Sequence, residues 1–538
     1  MATQVLIIGL DGATWRLLAP WARGGRLPHL AALMARGTWG RLRSTVPALT
    51  LPAWASFMTG KNPGGHGVYA FQRLAPDRYT SAGLANARDL GATPFWDIAG
   101  RAGRSVGVIN VPPSYPLRPL PRGYVVGCML TPPGERLTEP PDVRDDLGEY
   151  EIDAQAPKGL RRADPTYREQ SLSYLRAIRR QTTLRAEATL RLMARRPTDA
   201  LCVVFYAPDR VQHYFWEYLD PDAPRAPADA DVQGALEEVF IEVDAAIGRL
   251  VSAAGPDATV VLVSDHGFGA KPALSVRVNR WLANDGLLRR HPFWRLRRRI
   301  IKKMLPTAWR ARWDTLDHIL VDRPRTRAWS EALFTGTAGI WVHLAGRYPH
   351  GCVAPGVEYE AVRDRIIRGL DALVDAEGHR VFETVRRREE LYHGPFVERA
   401  PDVVAVCTPR FGVIFDSLGR ELRDQALFGP FEELGYTGTH DPFGIYLFAG
   451  PPIVAAGERG ELPIEAVTPA ILHLLDVPVP RDLDQPVRTD LLRPEYLRAH
   501  PVRLGDAIAA PASRDTGWRS EEDEARVADH LRALGYLE

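Results

Sequence analysis

Three short apolar runs frame the chain, and each ends in acid. Val5–Leu10 leads to Asp11 and Gly12, Leu201–Ala207 to Pro208 and Asp209, and Thr259–Ser264 to Asp265, His266 and Gly267. Continuous apolar, β-branched runs of this length predict strands buried on both faces, as in a parallel sheet covered by helices. A helical period predicts helices over Tyr167–Ala194, Val232–Ala254, Tyr359–Leu373, Ala466–Leu475 and Glu521–Leu534. Strands alternating with long helices predict an α/β fold with a mostly parallel central sheet.

Ligands in such sheets bind beyond the carboxyl ends of the strands. Asp11, Asp209 and Asp265 would therefore meet near one crevice, and clustered carboxylates repel unless a cation neutralises them. Singly, each aspartate reads first as a helix cap or turn residue. Histidines shift that balance. His213 stands four residues after Asp209 at a helix start, so the two share a face. His266 follows Asp265 directly, and His440 precedes the strand-like run Gly444–Gly450. Mixed carboxylate and imidazole donors suit zinc, manganese or iron better than calcium or magnesium.

A further chemical signal is the stretch from Ser44 to Gly67, with Thr50-Leu51-Pro52-Ala53-Trp54 and Thr59-Gly60 leading to His66-Gly67. Pro52 suits a first helical turn, which puts Thr50 at a helix N-terminus, where amide donors and the dipole favour an anion or alkoxide. Thr50 is a candidate nucleophile, or a plain cap.

In order, Asp11, Thr50, Asp209 with His213, Asp265 with His266, and His440 resemble the alkaline phosphatase superfamily, and within it the type I phosphodiesterase/nucleotide pyrophosphatase family. Thr93-Pro94-Phe95-Trp96-Asp97, Ala400-Pro401-Asp402 and Leu534-Gly535-Tyr536-Leu537 add to the likeness. The resemblance implies an alkaline-phosphatase-like sandwich with a helical lid insertion. It also implies two divalent ions, zinc or alternatively manganese, one held by Asp11, Asp265 and His266 with Thr50, the other by Asp209, His213 and His440. The implied activity is hydrolysis of phosphodiester or pyrophosphate bonds through a phosphothreonine. Asn110 and Arg210 are candidate substrate contacts, Asn110 reading also as a turn residue. Phosphomonoesterase or phosphotransferase activity, or a non-catalytic metal- and phosphate-binding role, are the alternatives.

Two features narrow the branch. A sulfatase needs C/S-x-P-x-R at the nucleophile, and Cys407-Thr408-Pro409-Arg410 lies far from Thr50. Eukaryotic-type relatives carry Asn where this chain has Ala53, which leaves the leaving group open.

Composition adds little to this except in one place. The chain has 538 residues, with 68 basic against 66 acidic side chains, a balance that argues against binding nucleic acid duplexes. All but Lys61, Lys158, Lys271, Lys302 and Lys303 of the basic residues are arginine. The four cysteines form no CxxC pair, and no run nears the roughly 18 apolar residues of a membrane span. With no signal-peptide pattern, the expectation is a cytoplasmic protein acting on a phosphorylated small-molecule or lipid-like substrate. The exception to the balance is the basic amphipathic stretch 289–305, which reads as a lid or as a peripheral contact with anionic membrane. The expected organisation is a core of residues 1–269 and 329–490, an insertion over 270–328 and a tail over 491–538.

Overall fold

The computed structural model describes residues 3–74, 83–155, 157, 160, 162–223, 229–291, 293, 321–413, 426–431, 435–508 and 520–534. Of the basic stretch 289–305 only Arg289, Arg290, His291 and Phe293 fall among them, so the lid or membrane reading lies outside the described residues, as does 535–537. The chain forms two compact units, one of residues 1–68, 84–270 and 434–538, the other of 69–83 and 271–433.

The first unit is built on a large sheet whose main strands are β1 (Val5–Leu10), β2 (Gly37–Arg43), β3 (Val106–Ile109), β4 (Gly123–Val126), β5 (Ala200–Phe205), β6 (Thr259–Val263) and β7 (Phe443–Ala449). Their spatial order is β2-β7-β6-β1-β5-β3-β4. From β6 to β4 neighbours run parallel; β7 is antiparallel to both β2 and β6. β1, β5 and β6 are buried at every position, which explains their unalternated apolar sequence. Helices α1 (Thr50–Thr59), α2 (Tyr167–Arg195), α3 (Ala207–Leu219) and α4 (Ala230–Ala254) belong to this unit. Apolar side chains of α2, α3 and α4, including Ile178, Val211 and Phe240, join those of β1, β5 and β6 in one core. This is the α/β fold with a mostly parallel sheet that the sequence predicts.

The second unit has a four-stranded antiparallel sheet, ordered Ala328–Phe334, Thr337–Val342, Val403–Cys407, Phe382–Arg387, with the helix Val357–Asp371. Ile340, Ile366, Phe382 and Val403 share its own apolar core. No helix among the described residues is long and apolar enough to cross a membrane.

Candidate metal centre and nucleophile

The three strands that end in acid are direct neighbours, β6-β1-β5. Asp11 follows β1, its amide bonded to Phe205 O of β5. Asp265 follows β6 and accepts the amide of Gly12 at 3.1 Å. Gly12 has φ of 67°, a left-handed turn that glycine adopts without strain and that swings this amide toward Asp265. Asp209 lies in the first turn of α3, four residues before His213.

His440 arrives on a short antiparallel pair, Gly438–Asp441 against Gly267–Ala270, which sets it opposite Phe268. Its ring stacks on that of His266 at 3.5 Å. The pairing explains how a residue far along the chain joins the other candidate ligands.

His266 Nδ1 faces Gly267 O at 3.1 Å and His440 Nδ1 faces Ala48 O at 3.0 Å. A carbonyl only accepts, so both Nδ1 atoms carry the proton and both Nε2 atoms present lone pairs. His266 Nε2 lies 3.2 Å from Asp265 Oδ2, 3.5 Å from Thr50 Oγ1 and 3.7 Å from Asp11 Oδ1. His440 Nε2 lies 3.4 Å from Asp209 Oδ1 and 3.1 Å from His213 Nε2. Lone pairs thus face carboxylate oxygens across a buried space.

Electrostatics give the same picture. Burial, with the charges of Asp265 and Asp209, pushes the Asp11 carboxyl well above the usual carboxylate range. Burial also raises Asp265, and the charge of Asp209 adds to it. Burial would raise Asp209 too, but its interaction with His213 outweighs that and holds the carboxyl well below the usual range. Burial lowers His266 and His440, keeping the imidazoles neutral. Asp11 Oδ1, both oxygens of Asp209, Asp265 Oδ2 and His213 Nδ1 are buried without a hydrogen-bond partner among the described residues. Such atoms are costly to leave uncompensated, and the donor set fits divalent cations. Ligand atoms of Asp209, His213 and His440 lie within 4.8 Å of one another, as do those of Asp11, Asp209 and His266. Asp209 thus belongs to both groups.

Thr50 is the first residue of α1, buried, and the residue before it offers no side-chain cap. Its hydroxyl therefore sits at the positive end of a ten-residue helix, beside His266.

Both candidate substrate contacts also bond within the protein. Asn110, at φ 62°, donates from Nδ2 to Val204 O at 3.1 Å, a link between the ends of β3 and β5. Arg210 forms two bonds to Asp153 Oδ2, at 3.0 and 2.8 Å, both side chains almost wholly buried. The Asp153 partnership carries no sequence signal, since it spans a long separation with neither motif nor period. The same holds for Trp54, whose indole Nε1 donates to Asp11 Oδ2 at 3.0 Å.

The profile of the type I phosphodiesterase / nucleotide pyrophosphatase family matches residues 5–440, and the chain belongs to that family. It is accordingly a phosphoric ester hydrolase of the phosphodiesterase and pyrophosphatase type, and the family is two-metal-dependent. Phosphonoacetate hydrolase from Sinorhizobium meliloti 1021, in complex with phosphonoformate, shares the fold at TM-score 0.53 and 16% identity, over 88% of this chain and 96% of that one. Murine ectonucleotide pyrophosphatase/phosphodiesterase 5, in complex with AMP, aligns at TM-score 0.48 and 14% identity over 91% of this chain and 100% of the other. No curated protein sequence matches the chain.

Proposed function

We propose that this chain hydrolyses a phosphodiester or pyrophosphate bond in a small phosphorylated molecule, with Thr50 Oγ1 as nucleophile and a phosphothreonine as the covalent intermediate. The observation that carries the reading is the position of that hydroxyl, at a helix N-terminus and 3.5 Å from His266 Nε2, beside the three convergent carboxylates.

Asp11, Asp265 and His266 would hold one ion next to Thr50; Asp209, His213 and His440 would hold the other. Zinc suits this mixed nitrogen and oxygen set, with manganese the alternative. When bound, such ions polarise phosphoryl oxygens and lower the pKa of a coordinated hydroxyl. The protein's own contribution is positional and electrostatic. The α1 dipole favours negative charge on Thr50 Oγ1, and burial of the site keeps bulk water from competing with it. Attack by Oγ1 forms the oxygen–phosphorus bond as the bond to the leaving oxygen breaks; the hydroxyl gives up its proton, and the departing alkoxide or phosphate oxygen takes one up as it leaves. Water then cleaves the phosphothreonine, restoring Thr50 and releasing the phosphate product.

The test compares bis-p-nitrophenyl phosphate, p-nitrophenyl phosphate and p-nitrophenyl sulfate, with and without zinc or manganese, in the wild type and Thr50→Ala. The expected result is metal-dependent diester turnover, lost in Thr50→Ala, with acid-quenched phosphate retained on Thr50. Turnover by Thr50→Ala equal to the wild type overturns the nucleophile. Hydrolysis of the monoester alone overturns the bond class.

A further inference from the structure

Trp54 is fully buried one helical turn after Thr50, and its indole Nε1 donates to Asp11 Oδ2 at 3.0 Å. The strand beneath makes room for the ring. A Cβ built on Gly9, next to the last residue of β1, would lie 2.5 Å from Trp54 Cη2 and 2.8 Å from Val204 Cγ2. Gly9 and Asp11 are two residues apart, the spacing that keeps strand positions on one side. The ring thus lies over Gly9 and reaches the carboxylate beyond it. Phe57 also packs on the indole, the two rings near-perpendicular at 5.2 Å, and Phe95 meets Phe57 at 5.9 Å.

This contact differentiates the two oxygens of Asp11. Oδ2 is occupied by the indole N–H; Oδ1 has no hydrogen-bond partner among the described residues and is the oxygen 3.7 Å from His266 Nε2. An indole nitrogen is a donor only, so the bond cannot reverse as a hydroxyl's would. Thr50 and Trp54 are four apart on one face of α1, so a shift of the helix would move the hydroxyl and the indole together.

We propose that Trp54 is a positioning residue that ties the nucleophile helix to Asp11, fixing which carboxylate oxygen faces the cation and how far that cation stands from Thr50. The proposal rests on the reading of Asp11 as a metal ligand. Outer donors of this kind change metal affinity by about 10–100-fold when removed.

The experiment is calorimetric titration of zinc into the metal-free full-length protein, comparing the wild type with Trp54→Phe, which keeps a ring and loses the N–H. The expected result is about tenfold weaker binding at one of two sites, with the other isotherm unchanged. Two unchanged isotherms overturn the role, and so does equal weakening of both, which would mark a general packing defect. A wild type that binds no zinc fails earlier, at the metal reading itself. If Trp54→Phe does not fold, wild-type protein with isotope-labelled tryptophan carries the test: one indole N–H resonance must shift on the first equivalents of zinc, and a spectrum with none shifted overturns the role.

Discussion

His213 Nε2 and His440 Nε2 approach to 3.1 Å, and Asp209 Oδ1 lies 3.3 Å from the first and 3.4 Å from the second. Two imidazole nitrogens and a carboxylate oxygen converging this closely in a buried space are held together best by a cation between them. Zinc or manganese should therefore raise the melting temperature of the metal-free protein. At a free concentration 100 times the dissociation constant the gain is about 2.7 kcal/mol, a shift of a few degrees. His440→Ala should lose part of that shift. Thermal melts with and without chelator check this, and a melting temperature indifferent to every divalent ion would contradict it.

Thr50 offers a hydroxyl that serine can supply and alanine cannot. Thr50→Ala should lower kcat/KM by on the order of a thousandfold or more, as expected when a nucleophile is removed from a unit that acts together. Thr50→Ser should retain measurable diester turnover, because the oxygen still opens α1 beside His266. Steady-state kinetics on bis-p-nitrophenyl phosphate, with metal binding confirmed for both variants, separates loss of chemistry from loss of the ions.

Much of the candidate site is legible in the sequence because it depends on short-range pattern. Asp11, Asp209 and Asp265 end unalternated apolar runs, and such runs fall in the middle of a parallel sheet, where β6, β1 and β5 are neighbours. The four-residue spacing of Asp209 and His213 is a helix-face relation, and α3 supplies that helix. What pattern does not carry is contact across the fold. The bond from Trp54 to Asp11, the Arg210–Asp153 pair and the joining of residues 69–83 with 271–433 each depend on which surfaces meet after folding. None has a period or a spacing. Asn110 illustrates the middle case: position marked it as special, and the structure accounts for that by a left-handed backbone and a bond to Val204 O.

The Arg210–Asp153 pair is almost wholly buried, with side-chain exposures of 3% and 2%. Removing one member of such a pair breaks both hydrogen bonds between them in a buried setting, a change that costs about 3–5 kcal/mol. Asp153→Ala should therefore destabilise the protein by that amount. The adjoining residue is Asp209, so zinc affinity should fall as well. Chemical denaturation with metal present and absent measures both effects, and an Asp153→Ala protein as stable as the wild type would show that the pair contributes nothing net.

His66 supplies a pH test independent of the candidate metal ligands. It is fully buried; its Nδ1 accepts the amide of Val68 at 3.2 Å, so the neutral ring carries its proton on Nε2, which faces Ser56 Oγ at 2.9 Å. Protonating Nδ1 would break the Val68 bond and bury a charge, and burial pushes the imidazole down to about 3. In the unfolded chain it titrates near its ordinary value of about 6.5. Between these two values the unfolded state binds a proton that the native state does not, so stability rises with pH across the window and is lost as pH falls through it. The slope from one such group is about 1.4 kcal/mol per pH unit. His66→Gln should be less stable than the wild type at neutral pH by about 1–3 kcal/mol, through the imperfectly replaced bonds. Because glutamine does not titrate, the gap should narrow steadily as the solution is acidified below about pH 6.5. Denaturation curves at a series of pH values give the gap directly, and one that stays constant from neutral to acid would mean that His66 is not held neutral by the fold.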